Sequence, residues 1–205
     1  MDRLDLDYFN NKDEDIEILK LIKDYENLKY TRKKDDKNKE NQIIIDGFLY
    51  EFEEKYFFDK KISMKIPKDF DEMQNSMKRL KYPSDLRPDI IQTDKNSEID
   101  ISFKMMNEDV RENEIYDLTT ASKDMLKNLN PGNIFLSEGV KNINSKNIGF
   151  LEFKSTAMDG FLYNIMFFSS LERKILMGKI CCPYEKLGTW KYLGFEMMES
   201  FKIHC

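Results

Sequence analysis

Histidine is nearly absent from this 205-residue chain, since the single one, His204, lies next to the C-terminal residue. A Ser-His-Asp or Cys-His site needs an imidazole held firmly in place, whereas chain ends fray. Cysteine is also rare: the three residues are an odd number and show no C-x-x-C spacing, which argues against a disulfide framework. The sequence therefore predicts reduced thiols and argues against a histidine-dependent hydrolase.

Glycine-rich phosphate loops are missing as well, because no segment matches G-x-x-x-x-G-K-[ST] or G-x-G-x-x-G. We accordingly predict no cofactor. The longest nearly apolar run, FLYNIMFF, is far shorter than the roughly 20 residues of a membrane-spanning helix. The acidic start lacks the basic and apolar regions of a signal peptide. These absences predict a cytoplasmic protein that does not bind a membrane.

Charge of one dominant sign is lacking too, since 33 basic and 38 acidic residues are interspersed and leave a net charge of −5. Nucleic-acid binding normally needs a concentrated basic surface, so none is predicted. The abundance of Lys, Asn, Ile and Asp is typical of an AT-rich bacterial genome. What the chain does have is 40% hydrophobic residues, enough to form the core of one main domain.

The first 40 residues differ from the rest of the chain. Apolar residues recur there at helical spacing, namely Ile18, Leu21 or Ile22, Tyr25 and Leu28. This pattern predicts an amphipathic helix, and TRKKDDKNKENQ, which has no apolar residue, predicts a solvated linker. We therefore predict an N-terminal helix and charged linker over 1–40 and a main domain over 41–205. The helix either packs on the domain or docks on a partner.

The main domain opens with strand signals. β-Branched and aromatic residues flank Asp46-Gly47, which predicts a hairpin. In the next segment Ile62, Met64 and Ile66 alternate on one face, and the strand should end at Pro67 because proline lacks an amide donor. The stretch from Asp71 contains two prolines and predicts a loop. A short strand at 89–93, a turn and a strand at 98–106 should follow.

One helix is clear from its apolar stripe and from the stop signal Asn130-Pro131-Gly132. The stripe consists of Ile115, Leu118, Ser122, Met125, Leu126 and Leu129. Strand-like runs at 147–155, 161–169 and 174–182 then predict a three-strand antiparallel meander. Apolar side chains occupy both faces of its central run, so we expect the sheet to be covered on both sides. A C-terminal helix should follow Pro183, with Trp190 and Gly194 on its apolar stripe.

This order resembles the Mog1/PsbP-like family over roughly residues 50–203. The resemblance rests on KISMKIPKDF near the domain start, the helix ending in Asn130-Pro131-Gly132, the aromatic meander, and CPYEKLGTW leading into a helix that ends MMESFKI. It implies an α+β fold, an α/β/α sandwich in which helices cover both faces of a central antiparallel sheet. It also implies a binding scaffold. The family shares no catalytic residue set that could be carried onto this chain.

The adjacent Cys181 and Cys182 invite a thiol or metal interpretation. Neighbouring strand residues point to opposite faces, so one metal can hardly take both thiols, and we expect structural cysteines without a metal. Glu152 lies among apolar residues of the meander and needs a partner, for which Lys154, Lys179 or an aromatic hydroxyl is available. A structural pair is favoured there over a general acid. The acids before the clear helix, Glu108, Asp109, Glu112 and Glu114, suit a helix N-terminus.

The segment LKYPSDLRPDII is the best candidate for a binding surface. Two prolines restrict its conformations, and it carries the kinds of side chains that dominate interface energetics. These are Tyr82, Leu86, Arg87 and Ile90. The alternative is a loop that merely wraps the edge of the sheet.

These observations favour a non-enzymatic scaffold that binds another protein, as an adaptor, a chaperone or an immunity-type protein. Two alternatives remain open. An enzyme with a carboxylate site around Glu152 predicts a deep pocket with convergent polar groups, whereas a binding module predicts a shallow apolar or aromatic patch. A structural subunit that self-associates through the N-terminal helix is the other alternative. The sequence does not define an oligomeric state.

Overall fold

A computed structural model describes residues 41–45, 47–84, 87–158 and 160–204. The strands in these residues are β1 (Gln42–Ile45), β2 (Phe48–Phe57), β3 (Ile62–Pro67), β4 (Asp71–Glu72), β5 (Ile90–Thr93), β6 (Asp100–Asp109), β7 (Ile134–Ile143), β8 (Lys146–Ala157), β9 (Gly160–Leu171), β10 (Lys174–Pro183) and β11 (Lys202–Ile203). The helices are α1 (Asn75–Lys81), α2 (Ile115–Leu129) and α3 (Leu187–Glu199). Short 3-10 turns, Glu112–Glu114 and Tyr184–Lys186, lead into α2 and α3.

The strands form two sheets. A four-stranded sheet has the order β1-β2-β3-β11, and a seven-stranded sheet has the order β4-β5-β6-β10-β9-β8-β7. All strand pairings among the described residues are antiparallel. The predicted antiparallel sheet is therefore confirmed. The separation of the first strands into a sheet of their own was not predicted.

The predicted first hairpin is confirmed, because Ile45 pairs with Phe48 across a two-residue turn. Gly47 in this turn has a φ of 79°, a left-handed conformation that glycine adopts without a steric penalty. The strand after this hairpin, β3, ends at Pro67, as predicted. Its alternating residues Ile62, Met64 and Ile66 are fully buried, and burial of each contributes about 1.5–3 kcal/mol.

The predicted meander is confirmed and contains one strand more than expected. β8, β9 and β10 pair in succession, and β7 extends them at the sheet edge. The turn from β7 to β8 uses Asn144 and Ser145 at φ angles of 50° and 65°, and the turn from β9 to β10 uses Glu172 and Arg173 at 52° and 65°. Both have the left-handed backbone of tight hairpins without the usual glycine. β7 was not predicted because it lies at the edge of the sheet and Ile143 is its one buried residue, so its sequence shows little apolar alternation.

Helices cover both faces of the seven-stranded sheet, as predicted. A Cβ added to Gly149 of β8 would meet Thr119 and Ile115 of α2, and one added to Gly194 of α3 would meet Ile165 of β9. Phe168 packs in the α2 cluster. It is three residues from Ile165 and therefore points to the opposite face of β9. The two longer helices thus sandwich the sheet.

The predicted buried stripe of α2 is partly wrong. Met125 is 54% exposed and Leu129 is 75% exposed, whereas Ile115, Thr119 and Ser122 are buried. The helix approaches the sheet most closely through its first turns, where Gly149 leaves room for Thr119. Its last two turns therefore keep these apolar side chains in contact with solvent.

The segment after Asp71 is not simply a loop. It contains β4, which pairs with β5, and the seven-residue helix α1. No residue of α1 is buried, so its sequence has no apolar stripe that could have revealed it. The predicted N-terminal helix and linker, 1–40, lie outside the described residues, and the domain boundary at Asn41 stays a prediction. No helix within the described ranges is long and apolar enough to cross a bilayer.

Candidate functional site

The adjacent cysteines lie near the end of β10, as predicted for a strand. Cys181 is 6% exposed and Cys182 is 1% exposed. Burial raises the pKa of each thiol, so both are protonated near neutral pH and are poor nucleophiles. His204 hydrogen-bonds Ser63 with a ring nitrogen 2.8 Å from the hydroxyl. Cys205 lies outside the described residues, within which no three His, Cys, Asp or Glu side chains are placed to hold a metal.

Glu152 lies on the face of the sheet that α3 covers, and it is only 1% exposed. Its Oε1 accepts a hydrogen bond of 2.9 Å from the Tyr163 hydroxyl and lies 2.7 Å from Nζ of Lys191. The predicted aromatic hydroxyl is thus correct. The lysine is Lys191 of α3 rather than the predicted Lys154 or Lys179. Lys154 Nζ instead lies 4.0 Å from the ring centroid of Phe161.

The acids before α2 have structural roles at its start. Asp109 forms a two-bond pair with Arg173 at 2.9 and 2.6 Å, and this guanidinium lowers the pKa of the carboxyl. Glu114 accepts the backbone amide of Arg111 at 2.7 Å, and Glu112 accepts that of Asn147. The bonds of Glu112 and Glu114 lie at the start of α2, as the prediction for a helix N-terminus requires. The Asp109–Arg173 pair instead joins the end of β6 to the turn between β9 and β10.

The predicted binding segment is divided among different environments. Tyr82 is the residue that ends α1, Arg87 is half-buried, and Ile90 begins β5 opposite Phe103 of β6. Leu86 lies outside the described residues. The structure thus places these three residues along one edge of the seven-stranded sheet, and all three are half-buried.

Tyr82 belongs to a polar cluster around Asp100, which is 3% exposed. The Asp100 carboxylate accepts hydrogen bonds from Thr93 at 2.8 Å, from Lys81 at 2.9 Å and from Tyr82 at 3.4 Å. Burial and the neighbouring carboxylate raise the pKa of the Tyr82 hydroxyl. The Tyr82 hydroxyl therefore helps to satisfy the buried Asp100 carboxylate, which is a structural role.

An aromatic cleft of 440 Å³ lies where the first hairpin meets the start of α3. Trp190 stacks on Phe70 with ring centroids 5.7 Å apart, and Tyr50 meets Trp190 edge-on at 6.1 Å. The exposed fractions are 6% for Trp190 and 2% for Phe70, but 69% for Phe48, which also lines the cleft. A buried pair of rings thus forms the base of the cleft beneath an exposed aromatic side chain.

Local structure explains why these rings meet. Phe48 and Tyr50 are two residues apart on β2, so they lie on the same face of the hairpin. The backbone amide of Phe70 donates to the carbonyl of Pro67 at 3.1 Å, and this turn brings the phenylalanine back beneath the hairpin. The 3-10 turn before α3 ends at Lys186, which places Trp190 in the first turns of the helix.

Acidic groups predominate around the cleft. Among the described residues, Asp69, Asp94 and Glu185 line it together with one lysine, Lys186. Lys186 forms an ion pair with Glu98, a residue outside the cleft lining, and this pairing raises the pKa of its ammonium group. One oxygen of Asp94 accepts two backbone amides of the β5–β6 turn at 2.7 and 2.9 Å. Asp69 and Glu185 are exposed.

A second groove of 580 Å³ lies between β2 and the edge formed by β4 and β5. Ile90 lines it beside Tyr56, which is 50% exposed, and beside Glu72. Lys55 also lines it, and its ammonium group donates to the carbonyl of Phe70. One predicted binding residue therefore borders an open surface close to the aromatic cleft.

Comparison with known proteins shows the class of fold. No protein-family model and no curated protein matches the sequence. Solved structures nevertheless match it, and the described domain has a Mog1/PsbP-like fold. The expectation drawn from the segments KISMKIPKDF and MMESFKI is therefore confirmed at the level of the fold.

Three solved structures illustrate the similarity. Cyanobacterial PsbP (CyanoP) from Synechocystis sp. PCC 6803 superposes with a TM-score of 0.55 at 10% identity, over 79% of this chain and 98% of that one. A protein from Bacteroides thetaiotaomicron VPI-5482 gives 0.50 at 8% identity, over 74% and 48%. The Ran-binding protein Mog1p of Saccharomyces cerevisiae gives 0.48 at 11% identity, over 75% and 96%. Identities this low show similarity of fold alone.

Proposed function

We propose that this chain is a non-enzymatic protein-binding module and that its partner docks on the aromatic cleft. The observation that carries the proposal is Phe48, a large aromatic side chain left 69% exposed above a base of packed rings. Aromatic anchors that enter or border a pocket supply much of the binding energy of protein interfaces. An open aromatic patch of this kind supports a binding module over an enzyme with a deep polar pocket.

The surroundings of Glu152 support binding over carboxylate catalysis. A general acid must reach its substrate, whereas Glu152 is 1% exposed and lies against Tyr163 and Lys191. Its ion pair joins α3 to the sheet. The observed geometry thus gives this carboxylate a role in packing.

The predicted segment contributes a second contact in this proposal. Arg87 and Ile90 are half-buried, and Ile90 borders the open groove beside Tyr56. Leu86 remains a proposed contact. Tyr82 is a weaker candidate, because its hydroxyl points to the buried Asp100. A partner that covers both the groove and the cleft would lie along β2.

The biological setting remains part of the proposal. We infer a cytoplasmic bacterial protein that acts as an adaptor, a chaperone or an immunity-type protein. Residues 1–40 would supply a helix and a charged linker, and that helix is the candidate for self-association. The composition of the chain and the sequence pattern of those residues support these inferences.

Two neighbouring residues of β2 allow a matched test of the cleft. Phe48→Ser removes the exposed ring from the cleft, whereas Leu49→Ser removes a side chain that is 54% exposed and is not part of the cleft lining. We expect the first change to weaken capture of a saturable partner by the full-length chain about tenfold or more. The second should leave capture unchanged. Quantitative mass spectrometry of the captured proteins measures both effects.

Melting temperatures of both variants control for unfolding. Equal loss of capture in the two variants, or full capture by Phe48→Ser, would contradict docking at the cleft. Arg87→Ala tests the predicted segment separately, and it should weaken capture without lowering the melting temperature. Tyr82→Ala is unsuitable there, since it would also disturb the cluster around Asp100.

A further inference from the structure

We propose that the aromatic cleft receives an arginine side chain of the partner protein. This inference rests on the proposed function and identifies the chemistry of the group that enters the cleft. Two independent features carry it: the aromatic rings of the lining and the excess of carboxylates among the polar groups around them. Each attracts a cation, and only together do they favour a flat guanidinium.

The rings provide the first feature. The faces of aromatic rings carry partial negative charge and attract cations. Trp190 and Phe70 are only 6% and 2% exposed, and their stacking, together with the edge contact from Tyr50, forms the base of the cleft. The ring open to an incoming group is Phe48, which is 69% exposed, beside the half-buried Tyr50. A planar guanidinium stacks on such an open ring face, whereas a lysine ammonium interacts as a point charge.

The carboxylates provide the second feature. Asp69 and Glu185 are exposed beside the rings, and a guanidinium can form two parallel hydrogen bonds with a carboxylate. The lysine of the lining, Lys186, already forms an ion pair with Glu98. As far as the described lining goes, the cleft therefore presents negative charge to an incoming group while its one lysine is engaged.

Charge complementarity also disfavours other occupants. An acidic or phosphorylated side chain would meet Asp69, Asp94 and Glu185 and would be repelled. A purely apolar side chain could contact the rings, but it would remove water from those carboxylates without replacing their hydrogen bonds. An arginine side chain suits both groups, because its apolar stem packs on the rings while its guanidinium donates hydrogen bonds to the carboxylates.

The chain has only one tryptophan, which makes Trp190 a specific reporter of the cleft. We would titrate the full-length protein with acetyl-Gly-Arg-Gly-amide and follow the indole N–H resonance of Trp190. The matched probe is acetyl-Gly-citrulline-Gly-amide, which keeps the shape of arginine but has no charge. We expect a saturable shift with arginine and about three- to thirtyfold weaker binding of citrulline.

Charge removal at the cleft provides the matched variants. Asp69→Asn combined with Glu185→Gln should weaken arginine binding about threefold or more, since these exposed carboxylates would contact the guanidinium. Asp117→Asn combined with Asp124→Asn removes two exposed carboxylates from α2, on the opposite face of the sheet. This control should bind the arginine peptide as the unchanged protein does.

The outcomes separate this inference from the proposed function. Equal shifts with arginine and citrulline, no shift with either, or equal weakening by both double variants would overturn the arginine assignment. Protein docking would still stand if capture depended on Phe48 and not on Leu49. Conversely, a specific arginine shift without any Phe48-dependent partner would contradict the proposed function and leave a site for small cations.

Discussion

Trp190 and Lys191 are neighbours on α3, yet they reach two contrasting sites. Trp190 lines an open cleft together with rings from the first hairpin and from the turn after β3. Lys191 forms an ion pair with Glu152 of β8, which is closed from solvent. One helix therefore separates a surface available to a partner from a polar site enclosed by the chain itself.

The contrast shows how burial assigns a role to charged groups. At Glu152 the pair is removed from water, so each charge depends on its partner. At the cleft, Asp69 and Glu185 stay hydrated and lose little without a partner. For this reason, a carboxylate that lies among apolar residues in the sequence is a weaker functional signal than an exposed aromatic side chain beside solvent-exposed carboxylates.

The largest effect is expected when the buried cation of this pair, Lys191, is removed. Lys191→Met leaves the buried Glu152 carboxyl without its cation, with Tyr163 still donating to it. Breaking such a pair from one side should lower the free energy of unfolding by about 3–5 kcal/mol. Urea denaturation followed by circular dichroism measures the change.

Lys186→Met is the matched control, because Lys186 also forms an ion pair but is 40% exposed. It should change the free energy of unfolding by less than about 1 kcal/mol. Equal effects of the two substitutions would show that Lys191 and Glu152 are not a buried pair. The distinction between the closed and open sites would then fail.

The sequence predicted those parts of the fold that depend on local patterns. The hairpin around Gly47, the end of β3 at Pro67 and the meander follow from alternation and turn residues. The helix α1 escaped prediction because none of its residues is buried. β7 escaped because Ile143 is its one buried residue, so apolar alternation is weak there. Division into two sheets depends on long-range packing that no local pattern specifies.

The cleft could not be predicted for a similar reason. Its rings come from two residues of β2, one residue after β3 and one residue of α3, so no spacing in the sequence joins them. Trp190 was placed on the correct apolar stripe, but its neighbours across the sheets were unknown. For Glu152 an aromatic hydroxyl was one of the predicted alternative partners, and Tyr163 supplies it. It could not identify Lys191, which lies on a helix distant in the chain.

An intermediate effect is expected from glycine substitutions in α3. A Cβ on Gly194 would lie 2.7 Å from Cδ1 of Ile165, which is fully buried on the closed side. Gly194→Ala should therefore cost about 1–3 kcal/mol of stability. Gly188 has open space around its Cβ position, so Gly188→Ala should stabilise the helix by up to about 1 kcal/mol. Thermal unfolding of both variants measures the difference, and stabilisation by both would contradict close packing at Gly194.

The smallest effect concerns the partly exposed ion pair between Glu54 and Lys202. Glu54 of β2 accepts hydrogen bonds from Lys202 and Ser63, each at 2.9 Å, and these bonds lower the pKa of its carboxyl from 4.5 to about 2. A lowered pKa in the folded state contributes stability above the ordinary value, and this contribution is lost as the pH falls from about 4.5 toward 2.

Because the Glu54 side chain is 30% exposed and its lysine is 43% exposed, solvent should limit this contribution to about 1 kcal/mol or less. Glu54→Gln should remove the corresponding part of the pH dependence of unfolding between pH 5 and about 2, and high salt should reduce the difference between the two proteins. An unchanged pH profile would mean that Lys202 does not hold the carboxylate in solution. A salt-independent loss of several kcal/mol would instead make Glu54 resemble Glu152, and exposure would then no longer distinguish the two kinds of carboxylate.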